Sequence, residues 1–138
     1  MALYKTRALY SASPLGPAGT YLSDVTVLNI DEEVNLVSVQ ANFTWGSGGT
    51  TCKAFVQTTL DGGLSWFDIM CFAFTTASAK KISAVKMWTA LAAAYTPLDG
   101  TLTDDTIKDG VIGDRLRVKM ILAGAYATSG LVVTAVQQ

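Results

Sequence analysis

Residues 53–74 read KAFVQTTLDGGLSWFDIMCFAF, and this stretch decides the fold. Asp61, Gly62 and Gly63 supply the positive φ angles that tight hairpin turns demand, since Gly reaches the left-handed region at no steric cost and Asp tolerates it. On either side, Lys53 to Leu60 and Ser65 to Phe74 are crowded with Phe, Val, Thr, Ile and Trp, which suit a pleated, half-buried surface. The stretch therefore predicts two antiparallel strands joined by a hairpin turn. A turn centred on Gly62 sets Cys52 opposite Phe72. A one-residue bulge would instead bring Cys52 opposite Cys71, where a cross-strand disulfide is sterically allowed. Free thiols are expected, because a cytoplasm keeps them reduced.

The same turn carries a second pattern. Thr59 to Trp66 resembles the Asp-box of sialidase-type propeller blades: a hydroxyl residue, Asp61, Gly62 and Gly63, a second hydroxyl in Ser65, then Trp66. One copy in 138 residues is too little for a propeller of several four-stranded blades. The expected role is structural. Asp61 caps backbone N–H groups across the turn, Gly63 permits the bend and Trp66 packs beneath it. Glycan binding is the alternative.

Working outward, further strands follow from alternation. Val25 to Ile30 is one, ending at the acidic corner Asp31-Glu32-Glu33. Val34 to Trp45 is another, with Val37, Val39, Ala41, Phe43 and Trp45 on one face at period two. Gly46-Ser47-Gly48-Gly49 reads as a loop. Residues 77–95 fit either a helix face or a strand, and strand followed by loop is preferred. Thr96 to Gly113 is a long connection of the kind that is usually functional or interfacial. Arg115 to Leu122 alternates cleanly, with Leu116, Val118, Met120 and Leu122 inward and Arg115, Arg117 and Lys119 outward. Gly124 to Gly130 turns the chain, and Leu131 to Val136 is the last strand. Upstream, Pro14 to Gly19 opposes helix and regular strand alike. Residues 1–20 are read as an extended N-terminal arm whose apolar Leu3, Tyr4, Leu9 and Tyr10 dock on this domain or on a neighbour. Residues 21–138 are read as an all-β domain, an antiparallel β-sandwich (jelly-roll-like or Ig-like) of about seven or eight strands.

Composition narrows the function. Half of the residues are apolar and 15% are charged, against about 25% charged in typical soluble domains. So few charges predict a surface partly covered by partner subunits, hence a homo-oligomer or assembly. A net charge of −1 leaves no basic footprint for nucleic acid, and no apolar run is long enough for a membrane helix. The opening MALYKTR lacks the apolar core of a signal peptide, which predicts a protein made in a cytoplasm. There is no histidine. That removes Ser-His-Asp and Cys-His catalysis and most zinc sites, and leaves the hydroxyl side chains without an activating base. No enzymatic activity, cofactor or metal is expected.

Other constellations have plain readings. Asp99, Asp104, Asp105, Asp109 and Asp114 crowd the long connection, but no spacing matches an EF-hand, so solvated carboxylates are expected rather than a calcium site. The stripe Arg115, Arg117 and Lys119 either meets an acidic partner surface, such as Asp31-Glu32-Glu33 of another copy, or stays in water. Trp45, Trp66, Trp88 and Tyr95 are available for sugar stacking if their rings lie on the surface. Asn42-Phe43-Thr44 is a formal glycosylation sequon without a secretory context.

Two stretches carry a resemblance: residues 46–79, GSGGTTCKAFVQTTLDGGLSWFDIMCFAFTTASA, and residues 95–126, YTPLDGTLTDDTIKDGVIGDRLRVKMILAGAY. Together they resemble a group of small virion-associated proteins of tailed bacteriophages encoded among head and head–tail genes. VQTTLDGG, FAFTTASA and GDRLRVK are distinctive in combination. Residues 80–94 and the N-terminal arm depart from the pattern. The resemblance implies a non-enzymatic structural protein of the virion, assembled in the host cytoplasm. It implies partners among virion proteins, the major capsid protein first, and a minor capsid or decoration role that cements the head. A neck or tail position is the alternative, and a carbohydrate-binding β-sandwich module a further one. The resemblance implies no active site.

Overall fold

A computed structural model describes residues 5–28, 35–86 and 90–137. The strands are β1 (Lys5–Ala12), β2 (Gly19–Leu22), β3 (Thr26–Val27), β4 (Leu36–Thr44), β5 (Ser47–Gly48), β6 (Thr51–Thr58), β7 (Phe67–Phe74), β8 (Ala79–Lys86), β9 (Arg115–Ala123), β10 (Tyr126–Ala127) and β11 (Gly130–Gln137). All pairings are antiparallel. The first sheet runs β1-β11-β4-β8 and the second β2-β9-β6-β7, with β3 also on β9 and a small β10-β5 ribbon at one end. The protein is thus an all-β sandwich, as expected. Three two-residue strands raise the count above the seven or eight foreseen.

Alternation builds the core. Val37, Val39, Ala41 and Phe43 of β4 turn inward while their neighbours face out, and Leu116, Val118, Met120 and Leu122 do the same on β9. The two inner faces meet at Phe43, whose ring centroid lies 5.0 Å from that of Phe74 and 5.6 Å from that of Tyr126. Each fully buried side chain of this kind contributes about 1.5–3 kcal/mol.

Residues 5–12 of the expected arm are a strand of the first sheet, hydrogen-bonded along β11, with a bulge at Leu9. Leu9 is buried in this chain's own core and Tyr10 packs against it. Leu3 and Tyr4 lie outside the described residues. The 46–49 segment is more than a loop, because Ser47 and Gly48 pair with Ala127 and Tyr126. Gly49 makes this possible: a Cβ there would meet the Tyr126 ring at 2.3 Å, and its φ is +75°. The ambiguous region resolves into β8, and residues 90–95 have no regular structure. Trp45 lies beyond the end of β4, exposed rather than on the inner face. Of the expected strand over Val25 to Ile30, Thr26 and Val27 are a strand, while Asn29, Ile30 and the acidic corner lie outside the described residues.

The β6–β7 hairpin forms, but its turn is wider and its register different. Its strands end at Thr58 and Phe67, so Thr59 to Trp66 form the connection. Cys52 pairs with Phe74 and Cys71 with Phe55. The cysteines therefore lie on opposite faces of the sheet, both buried and unbonded. An internally hydrogen-bonded loop has displaced the tight turn, and a bulge at Ile69 shifts the pairing by one residue between Val56 and Gln57. That bulge has consequences for the outer face.

Candidate interaction surfaces

Asp68 would share the core face with Met70 if β7 alternated without interruption. The bulge turns it outward, opposite Gln57. There it is still buried, because the connection from residue 97 to 106 lies across the outer face of the second sheet as a third layer. Phe55, Gln57 and Cys71 are sealed beneath it. Asp68 anchors the cover: its carboxylate accepts the backbone N–H groups of Gly100, Thr101 and Leu102 and the Gln57 amide. Gln57 Nε2 also donates to Asp99, and Gln57 Oε1 accepts from Arg117 Nε.

Farther along, the connection closes both open edges on one side of the sandwich. Asp68 and Cys71 donate their N–H groups to Leu98 and Thr106 carbonyls, and Lys108 donates to Ile69 O. Asp105 accepts from Ala73 N–H and pairs with Lys81 of β8. On β8, Lys86 O accepts from Gly110 N–H, and Lys86 N–H donates to Asp109. Backbone groups that would otherwise invite a foreign strand are taken up.

This cover also explains the basic stripe. Lys119 pairs with Asp99 at 2.9 Å. The Lys119 hydrogen bond, joined by the Gln57 amide, holds the Asp99 carboxyl below its ordinary range against the effect of burial. Arg117 lies over the Trp66 ring, 4.5 Å from its centroid. Arg115 Nη1 donates to Gly62 O at the hairpin turn. All three cations are engaged within the chain.

At the turn, Asp61 accepts from the Ser65 N–H, the Ser65 hydroxyl and the Thr59 hydroxyl. Gly63 N–H donates to Thr59 Oγ1, and Trp66 Nε1 to Gly63 O. Gly62 and Gly63 take positive φ angles of 73° and 96°. The Ser65 hydroxyl, then its N–H, then the Thr59 hydroxyl lower the Asp61 pKa to about 2. The geometry is the self-contained cap expected of these residues.

The remaining aspartates of the connection are spread out rather than gathered. Asp104 pairs with Lys53 and Asp114 with Arg115. Among the described residues no three His, Cys, Asp or Glu side chains are grouped to hold a metal ion. Of the aromatics, Trp66 and Tyr95 each have one ring face occupied, by Arg117 and by Lys108 at 4.2 Å respectively. Trp45 is exposed with Nε1 donating to Gly48 O. Trp88 lies outside the described residues. The thiols are muted by burial, which raises Cys52 to about 12 and Cys71 to about 11.

The outer face of the first sheet is different. Ser38, Gln40, Asn42 and Thr44 of β4, Val132, Thr134 and Val136 of β11, and Ile82 and Ala84 of β8 point away from the core. Ile82 is 70% exposed and Val132 41%. Its charges are Lys80 and Lys86 on β8, and no carboxylate lies among the described residues of this face. Sequence reading identified neither this face nor the Asp68 anchor. The signal for Asp68 and Gln57 was present, as two polar residues inside the apolar runs of a hairpin.

Fold and surfaces together define an antiparallel β-sandwich in which residues 97–106 cover β6, β7 and the adjoining part of β9 on the second sheet's outer face, Leu22 and Val27 on that same face stay exposed, and the outer face of the first sheet exposes Ile82 and Val132. Compared with known protein families, with curated proteins and with solved structures, the chain finds no match in any of the three.

Proposed function

We propose that this protein is a non-enzymatic structural subunit of a tailed-phage virion, seated on the head as a minor capsid or decoration protein that cements major capsid proteins. The observation carrying this reading is the asymmetry of the two outer faces. Residues 97–106 cover the second sheet over β6, β7 and part of β9, leaving Leu22 and Val27 exposed at its far side, whereas the first presents a flat surface of hydroxyl, amide and aliphatic groups. Solvated antiparallel faces ordinarily carry charge; this one suits contact with a protein. Its two lysines favour a partner with an acidic rim.

Size decides how such a face would work. Four strands spaced about 4.8 Å apart, with about eight residues each rising about 3.3 Å, span roughly 500 Å². A standard interface takes about 800 Å² from each partner. A single contact is therefore modest, and firm attachment comes from many copies on one lattice or from linked copies. That is the economy of a cement rather than of a lone binding module. A sugar platform is less favoured, since Trp66 and Tyr95 already have cations on one face.

Gold-labelled antibody against the protein, imaged on particles from its native source, tests the assignment. Dense label over heads supports it. Label confined to one vertex or to the tail moves the protein to the connector or tail, and particles without label overturn the virion reading.

A further inference from the structure

At the hairpin end of the sandwich, Leu60, Phe67, Leu91, Tyr95, Pro97 and Val111 line an apolar groove of about 260 Å³. The loop that supplies Leu60 to the groove also holds up Leu64, and the two are 69% and 89% exposed. Leucines this bare are uncommon on a rigid, well-bonded loop, and here the Asp61, Thr59 and Ser65 hydrogen bonds fix the loop that presents them. We propose that this end is a twofold self-association surface, in which the Leu64 knob of each copy seats in the apolar groove of the other.

A second copy is the occupant because knob and groove belong to the same patch, the condition for an isologous contact. Charge agrees with this. The tip bears the Asp61 carboxylate, and the groove is flanked by the Lys108 ammonium over the Tyr95 ring. A twofold axis brings each carboxylate towards the other copy's ammonium and keeps like charges apart. The surface is separate from the bare face of the first sheet and does not depend on where in a particle the protein sits.

Sedimentation velocity on the full chain from about 1 to 100 µM spans the affinities expected of a modest contact. The wild type is expected to shift from monomer to dimer with concentration. Leu64→Asp should weaken this at least about tenfold, with an unchanged circular dichroism spectrum and melting midpoint. Leu91→Asp, on the other side of the groove, should do the same, while Ile82→Asp on the first sheet should leave the dimer intact. A wild type that stays monomeric throughout overturns the proposal. So does a dimer that survives both leucine substitutions, or one lost only in Ile82→Asp.

Discussion

Asp68 is the residue whose loss should be felt most widely. Its carboxylate is the shared acceptor for three backbone N–H groups and a buried amide. Asp68→Ala leaves those donors without a partner, at about 1–3 kcal/mol for each buried group that water cannot reach. A loss on the order of 3 kcal/mol is expected in urea unfolding, together with faster hydrogen exchange across residues 98–106. An unchanged exchange pattern there would mean the cover holds without its anchor. Asp61 acts differently, because it is exposed and its effect is one of pH. Its folded pKa of about 2 lies below the ordinary 3.8. Its contribution is therefore fully present above pH about 4 and is lost as pH falls towards 2. Asp61→Asn should flatten the stability profile in that window and lower stability by a constant, pH-independent amount above about pH 5. The Asp61 cap could be read from spacing, since Thr59, Asp61, Gly63 and Ser65 are all local. The Asp68 anchor could not, because its backbone N–H partners lie more than thirty positions away and a bulge chooses the face it occupies.

At the scale of elements, the connection between β8 and β9 does the work of a third layer. Gly113 shows how closely it is fitted: a Cβ at that position would lie 1.7 Å from the Thr59 carbonyl oxygen. Gly113→Ala should cost about 3 kcal/mol or more, as overpacking against backbone does, and calorimetry would register it as a lowered melting midpoint. The cysteines report on the same layer from beneath. They sit on opposite faces of the second sheet, so reductant should not change the melting midpoint. Both thiols should react slowly with a thiol reagent in the folded protein. In Asp68→Ala, Cys71 should speed up selectively while Cys52, in the inter-sheet core, stays protected; equal rates would contradict the layered arrangement. Strands with strict alternation, β4, β9 and β11, were legible from period alone, and so was the hairpin. The β5–β10 ribbon was not, because two glycines hid a pair of strand residues. Nor was the hairpin register, which turns on an eight-residue loop and one bulge.

For the molecule as a whole, the sandwich covers part of one outer face, over β6, β7 and the adjoining part of β9, with its own chain and closes the edges beside it. The outer face of the first sheet exposes Ile82 and Val132 and carries no carboxylate among its described residues. The low charged fraction of the sequence is consistent in composition with a face that holds only two charges, Lys80 and Lys86, among its described residues. Where the bare region falls depends on the path of residues 96–113, and pattern reading does not reach that. Ile82 stands near the outer edge of this face and supports nothing in the core, so Ile82→Asp should change stability by less than about 0.5 kcal/mol. The decisive measurement is co-sedimentation of purified wild-type and Ile82→Asp protein with phage heads that lack it. Saturable binding of the wild type, weakened at least about tenfold by the substitution, is the expected result. Equal binding by both proteins, or none by the wild type, would contradict docking through the first sheet.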